Sequence, residues 1–266
     1  MLLIVLRRYI IFLVLHTINN NMAESIIEVG NLCKTFGKFP VLKDISLTVF
    51  EGEIFGLLGL NGAGKTTLIK SMLHLIKPQK GEIKYKGRPL LPLHIYKEFG
   101  YLPERFMPPL ETTAKELLEF LGMSLGVNLL TVSFLLEKFN LGGRKKIKYY
   151  SRGMVQRLGL CCALLKSPEV IILDEPTLGL DPLGQRDILK LLLDINREGT
   201  TIFFSSHNLL QVERICHRIA IIKKGEIMFC GKIEELKASH ATESFEEAFL
   251  KETNHSNNED NRLNIF

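Results

Sequence analysis

A glycine-rich segment that ends in a lysine and two threonines is the strongest chemical signal in the sequence. It reads Gly-Leu-Asn-Gly-Ala-Gly-Lys-Thr-Thr, after an apolar run over 54–58 and before a helical pattern over 68–73. This strand, loop and helix order is the setting in which G-x-x-x-x-G-K-[ST] binds phosphate through backbone N–H groups and a helix N-terminus. We predict a nucleoside triphosphate site formed by Gly59, Leu60, Asn61, Gly62, Ala63, Gly64, Lys65, Thr66 and Thr67. Lys65 would reach the β- and γ-phosphates, and the Thr66 hydroxyl would ligate Mg²⁺.

Two acids at the end of a second apolar run could complete this chemistry. The run over 170–173 predicts a buried strand, and Asp174 and Glu175 follow it directly. Ligands of α/β sheets bind at the carboxyl ends of strands, so Asp174 is predicted to ligate Mg²⁺ and Glu175 to deprotonate an attacking water. A solvated acidic turn is the competing interpretation, and the phosphate loop earlier in the chain disfavours it.

The elements that must position these residues alternate between strand and helix. Strand patterns occupy 26–36, 41–50, 54–58, 81–87, 99–102, 170–173 and 200–204, and Glu51-Gly52 indicates a hairpin turn. A Lys224-Gly225 turn joins two more, at 219–222 and 227–230, in a hairpin. The helix after Lys65 is predicted to end near Lys77-Pro78, and further helices cover 182–198 and 208–216. This order predicts an α/β fold with a mainly parallel sheet and helices on both faces.

A helical insertion interrupts the alternation between about 88 and 167. Thr113 and Glu116 form a capping box that opens one helix, and helical patterns at 129–139 and 151–165 follow. Ser151 is a favourable N-cap for the last of these.

Composition limits the other classes of function. The chain has 266 residues, 46% of them hydrophobic, and a net charge of +5 that is spread along the sequence, so charge alone does not suggest nucleic acid as a partner. Its five cysteines form no C-x-x-C pair and are predicted to be reduced. Residues 1–21 are apolar but interrupted by Arg7 and Arg8, so we expect either an extension upstream of a working start at Met22 or a weak membrane-surface anchor. The polar tail from Thr253 is predicted to be disordered.

With these motifs in this order, the chain resembles the ATP-binding subunits of ABC transporters. The family's Ser-Gly-Gly-Gln-type signature corresponds here to the run from Tyr150 to Arg157, with Arg152 in place of the middle glycine and Met154 in place of the usual glutamine. Both departures are similar to the variant found in subunits that serve ABC-2-type permeases and the sodium- or drug-exporter group. The resemblance implies that Ser151, Gly153 and Gln156 contact ATP.

The same resemblance assigns four further positions. Leu178-Gly179-Leu180-Asp181 matches the D-loop, and Ser206-His207 matches the switch histidine that contacts the γ-phosphate. Glu104 occupies the Q-loop position, where it could ligate Mg²⁺. Phe36 lies where the family places an aromatic residue that stacks on adenine, with Phe39 as a competitor and core packing as the alternative role.

The resemblance also implies an assembly. It predicts a P-loop NTPase of the ABC ATPase type over 22–240, with an antiparallel β subdomain, a helical subdomain at about 88–167, and a short helix and tail over 241–266. Two chains, expected to be identical, would form a head-to-tail dimer that hydrolyses Mg-ATP and drives a separate permease of the ABC-2 type, as a peripheral protein on the cytoplasmic side of the membrane. A soluble ABC-type ATPase that acts on ribosomes or DNA is the alternative.

Overall fold

The computed structural model describes residues 24–260, so the predictions for residues 1–21 and for the last six residues lie outside the described part of the chain. The strands are β1 Ser25–Phe36, β2 Phe39–Phe50, β3 Ile54–Leu58, β4 Lys80–Tyr85, β5 Arg88–Pro89, β6 Phe99–Leu102, β7 Val170–Asp174, β8 Thr201–Ser206, β9 Arg218–Lys223 and β10 Glu226–Gly231. The helices are α1 Lys65–Met72, α2 Pro92–Glu98, α3 Ala114–Leu125, α4 Leu129–Lys138, α5 Arg152–Leu164, α6 Pro182–Arg197, α7 Leu209–Ile215, α8 Ile233–Ser239 and α9 Phe245–Asp260, with a 3-10 turn at Ile147–Tyr149.

The contacts within the chain define two compact units. The first contains residues 90–203, and the second combines 25–89 with the chain from 204 onward. Strand β8 contributes its first three residues to the first unit and its last three to the second.

The second unit contains an antiparallel sheet with the strand order β2-β1-β4-β5. Strands β1 and β2 form a long hairpin that closes where Phe36 pairs with Phe39. From Asp44 to Phe50, strand β2 alternates between buried side chains and more exposed ones, as expected for a sheet with one face on the core.

The same unit also contains strands in the order β8-β3-β9-β10. Strand β3 runs parallel to β9, and β9 and β10 form the predicted antiparallel hairpin. The hairpin predicted at Glu51-Gly52 is wrong: the turn is present, but β2 and β3 belong to different sheets. All five residues of β3 are buried, which is typical of a strand with parallel neighbours and both faces covered.

Two helix ends in this unit differ from the prediction. Helix α1 ends at Met72, five residues before Lys77, because His74 adopts a left-handed conformation with φ of 53°. Helix α9 continues to Asp260 through the part of the tail that was predicted to be disordered. Once the first turn is closed at Ser244, each further residue adds one backbone hydrogen bond, so polar residues can extend the helix.

The first unit carries helices α2 to α6 and strands in the order β6-β7-β8. Strand β6 is parallel to β7, with Leu102 opposite Leu173. The capping box is confirmed, because the Thr113 hydroxyl accepts from the Glu116 amide and the Glu116 carboxylate accepts from the Thr113 amide. Helix α2 was not predicted, since its segment contains few periodic apolar residues and none of them is buried. The predicted combination of parallel and antiparallel sheets with a helical insertion is confirmed.

Candidate functional site

The glycine-rich loop follows β3 and leads directly into α1. Gly64 is the N-cap of this helix, with φ of 112°, and no side chain caps the first turn. The first N–H groups of α1 therefore keep their capacity to bind an anion. A Cβ at Gly64 would lie 3.0 Å from the Val41 carbonyl oxygen, and the left-handed backbone would strain any other residue. The loop thus has the form that a phosphate ligand requires.

Lys65 is almost completely buried at the start of α1. Its Nζ donates to the Gly59 carbonyl oxygen at 2.7 Å and to the Leu60 carbonyl oxygen at 3.4 Å. The ammonium group is thereby folded back over the loop rather than extended into solvent. A buried positive charge beside uncapped N–H groups favours a polyanionic ligand.

Two hydrogen bonds fix this loop within the second unit. The Gly225 amide, in the turn between β9 and β10, donates to the Ala63 carbonyl oxygen at 3.0 Å. The Gly59 amide donates to the Ser206 carbonyl oxygen at 3.3 Å. His207 follows Ser206 directly, so the predicted switch histidine lies one residue from this contact with the first glycine of the loop.

Phe36 and Phe39 face each other at the end of the β1–β2 hairpin, in the same unit. Both rings are exposed, Phe36 by 46% and Phe39 by 77%, so the core-packing alternative does not hold for either. The Lys34 ammonium lies 5.0 Å from the centroid of the Phe36 ring, within the range of a cation–π contact.

The predicted carboxylates lie at the ends of neighbouring strands in the first unit. Asp174 closes β7 and is fully buried, and the Glu175 side chain is only 6% exposed. Glu175 has φ of 51°, a left-handed conformation that is uncommon for glutamate. Glu104 follows the end of β6 by two residues and is exposed. Because β6 and β7 are parallel and in register, all three acids lie at one edge of these strands.

Tyr101, one residue before the end of β6, was missed by the sequence analysis. Its hydroxyl group is buried and makes no hydrogen bond within the described residues. Burial raises the pKa of Tyr101 to about 12, and the charges of Asp174 and Glu104 add to this effect. In the sequence, Tyr101 lies two residues before Pro103 in the alternating pattern of a short strand. That position alone cannot distinguish a site residue from a packing residue.

The signature segment forms the start of α5. Ser151 is its N-cap, and the Ser151 hydroxyl accepts from the Met154 amide at 3.3 Å. A Cβ at Gly153 would lie 4.0 Å from the Ser151 hydroxyl oxygen, an ordinary contact, and Gln156 is half-buried on the same helix. The Arg152 guanidinium donates from Nη1 to the Gly179 carbonyl oxygen at 3.2 Å. Nothing in the sequence indicated this contact.

Asp181 is the N-cap of α6, and its Oδ1 accepts from the Gly184 amide at 3.2 Å. Pro182 takes the first helical position, as the sequence predicted. The predicted site residues therefore form two groups. The second unit holds Phe36, the loop from Gly59 to Thr67 and His207, and the first holds Glu104, Ser151, Gly153, Gln156, Asp174, Glu175 and Asp181.

Within residues 24–260, no three or more His, Cys, Asp and Glu side chains are grouped as a metal site. Over the same range, no helix has the length and apolar character needed to cross a membrane.

Comparison with known proteins identifies the class. Residues 42–178 match the sequence profile of the ABC transporter family. A solved ATP-binding subunit of an ABC transporter superposes with a TM-score of 0.77 at 31% identity, covering 86% of this chain and 99% of that one. The chain therefore belongs to the ABC transporter family, as one of its ATP-binding domains, and its fold is that of an ABC ATPase.

Individual relatives carry the same description. An uncharacterized ABC transporter ATP-binding protein of Nostoc sp. is 43% identical over 213 residues, which cover 77% of this chain and 64% of that protein. The chain thus spans less than two thirds of that relative's length. A lantibiotic transport ATP-binding protein of Streptococcus pyogenes is 35% identical, and the match covers 76% of this chain and 89% of that protein.

Proposed function

We propose that this chain hydrolyses Mg-ATP as the nucleotide-binding subunit of an ABC exporter. The observation that carries the proposal is Lys65, a buried cation at the uncapped start of α1. Its Nζ is bonded to a loop carbonyl, and a triphosphate would offer it stronger, charged acceptors at the same helix terminus. The β- and γ-phosphates would be bound there, with the ring of Phe36 stacked on the adenine.

The residue roles in hydrolysis follow from the family's motif order. Glu175 would accept the proton of the attacking water, and His207 would contact the γ-phosphate and help orient that water. Thr66, Asp174 and Glu104 would supply oxygen ligands to Mg²⁺, which would neutralise charge on the phosphates. Lys65 and the loop N–H groups would stabilise the charge that develops on the transferred group.

The assembly is proposed on the family's arrangement. Ser151, Gly153, Gln156 and Asp181 of one copy would complete the ATP site of a second copy, head to tail. Closure on ATP and opening after hydrolysis would move a separate membrane permease, of the ABC-2 type, to which this chain binds from the cytoplasmic side. The variant signature with Arg152 and Met154 supports export, and so does the similarity to a subunit whose name states lantibiotic transport.

The substitution Glu175→Gln tests this assignment. We expect turnover to fall at least a hundredfold, since the base is lost, while ATP binding persists because the phosphate loop is unchanged. Phosphate release measures the first effect, and light scattering with and without ATP measures an ATP-dependent dimer that should now persist.

The matched control is Glu119→Gln, which neutralises a partly exposed acid on α3 that pairs with the exposed Lys115 at 3.7 Å. It should leave turnover unchanged, because an exposed ion pair of this kind contributes little. Wild-type turnover in Glu175→Gln would show that another residue is the base. Loss of ATP binding in that variant would mean that the substitution disturbs more than the chemical step.

A further inference from the structure

The arginine that departs from the family's signature makes a defined contact in this fold. Arg152 is the first residue of α5, and its Nη1 lies 3.2 Å from the carbonyl oxygen of Gly179. Gly179 belongs to the segment between β7 and α6, which begins with the proposed base Glu175. The contact therefore joins the start of the signature helix to the segment that carries the base, within one chain and within the first unit.

The partner residue is shaped for this contact. Gly179 has φ of 72°, and a Cβ added to it would lie 2.8 Å from Arg152 Nη1. Any other residue at position 179 would thus be strained and would also displace the guanidinium. The arginine and the glycine fit each other as a pair.

The backbone of the segment transmits this restraint toward Glu175. The Leu178 amide donates to the Glu175 carbonyl oxygen at 3.1 Å, and the Leu180 amide donates to the Thr177 carbonyl oxygen at 3.2 Å. Neither of these two overlapping turns uses the Gly179 carbonyl oxygen as its acceptor, and the Arg152 guanidinium donates to it instead. Glu175 itself has a left-handed backbone, and such a conformation persists in a non-glycine residue only when its surroundings hold it.

Helix α5 has another, weaker link, which reaches α6 itself. Arg157 and Asp187 approach to 3.8 Å, and the Asp187 carboxylate is largely exposed. Both links border a groove of about 400 Å³ that runs from the start of α5 along α6. Of the two, only the Arg152 contact reaches the segment that begins at Glu175.

We propose that Arg152 is a positioning residue for hydrolysis: it holds the segment 175–180, and through it Glu175, against the start of α5. The proposal rests on the function proposed above for Glu175. Arg152 acts through the Gly179 carbonyl group and does not itself touch the water or the reacting phosphate. In subunits with glycine at this position, the segment would lack this restraint from its own chain.

The test compares Arg152→Ala with Arg152→Lys and with the control Arg197→Ala. Arg197 is an exposed arginine at the end of α6, paired only with Asp194 on the same helix among the ion pairs described. We expect Arg152→Ala to lower kcat about tenfold, which corresponds to about 1.4 kcal/mol, with KM changed less than twofold. Arg152→Lys keeps a charged donor and should recover at least half of the lost rate. Arg197→Ala should match the wild type in kcat and melting temperature.

A structural readout separates this proposal from the function on which it rests. Without nucleotide, amide exchange at Leu178 and Leu180 should be at least fivefold faster in Arg152→Ala than in the wild type and unchanged in Arg197→Ala. If the wild type did not hydrolyse ATP, the proposed function would fail, and the exchange result would still report the contact.

A double-mutant comparison with Gly179→Ala completes the design. Since the added Cβ displaces the guanidinium, Arg152→Ala should reduce kcat no further when Gly179→Ala is already present. Independent, multiplying losses would overturn the pairing. A wild-type kcat in Arg152→Ala, or a loss explained by a lowered melting temperature and not rescued by lysine, would overturn the positioning role.

Discussion

At the scale of single residues, the chain offers two aromatic rings for one role. Phe36 and Phe39 are neighbours across the end of the β1–β2 hairpin, and both are exposed. Phe36 is the one we propose for stacking on a bound base, because the resemblance to the family assigns it that role and the Lys34 ammonium lies over its ring. An exposed ring that contributes little to the core can be removed without unfolding the protein, so its role in binding can be measured directly.

We predict that Phe36→Ala weakens ATP binding about tenfold, while Phe39→Ala changes it less than twofold. Stacking of a base on an aromatic ring contributes about 1–3 kcal/mol, and about 1.4 kcal/mol corresponds to a tenfold change in Kd. Titration with a fluorescent ATP analogue, and with the GTP analogue, measures the effect. Both nucleotides should weaken alike, because every base has a π-face. A larger loss in Phe39→Ala would transfer the role to that ring.

At the scale of elements, two glycines allow strand β6 and helix α5 to pack unusually closely. A Cβ at Gly100 would lie 2.2 Å from the Ala163 carbonyl oxygen, and one at Gly159 would lie 2.4 Å from Leu102 Cδ1. The helix that begins at the signature segment is therefore held directly against the strand that leads to Glu104. The positions of both segments depend on this contact.

We predict that Gly100→Ala lowers the free energy of unfolding by about 1–3 kcal/mol, because the methyl group meets backbone atoms that cannot rotate away. Each kcal/mol should lower the melting temperature by about 2–4 °C in a domain of this size. Thermal unfolding followed by circular dichroism measures it. The control Gly142→Ala has nothing within 4 Å of the added Cβ and should melt like the wild type. Equal melting temperatures in all three proteins would contradict the close approach.

At the scale of the whole molecule, the family assignment places ATP binding in this chain, and we propose that a partner permease selects the cargo. The net charge of +5 is modest for a chain of 266 residues and gives no independent reason to expect nucleic acid. An exporter subunit would be found at the membrane, whereas the soluble alternative would be found with ribosomes or DNA.

We predict that the protein sediments with membranes when native cells are fractionated and that it co-purifies with a membrane permease after mild detergent extraction. Nuclease treatment of the lysate should not change its distribution. Immunoblotting of membrane, ribosome and soluble fractions measures this. Recovery with ribosomes or DNA, released by nuclease and absent from membranes, would contradict the transporter role.

The motifs were predictable because each is a local arrangement. The phosphate loop, the capping box at Thr113, the N-cap Ser151 and the start of α6 at Pro182 depend on residues within a few positions of each other, and the structure has these elements where the sequence placed them. The end of α1, which the sequence pattern placed too late in the chain, has a different cause. It depends on a left-handed His74, which no residue preference indicates.

The class of the protein can be recognised from its sequence, since the phosphate loop, the acids, the signature segment and the histidine follow one another in the family's order. Which distant residues meet depends on the folded structure. The bond from Gly59 to Ser206 and the bond from Arg152 to Gly179 each join segments far apart in sequence. Such contacts arise from strand register and helix packing, which involve many residues at once, so no local pattern encodes them.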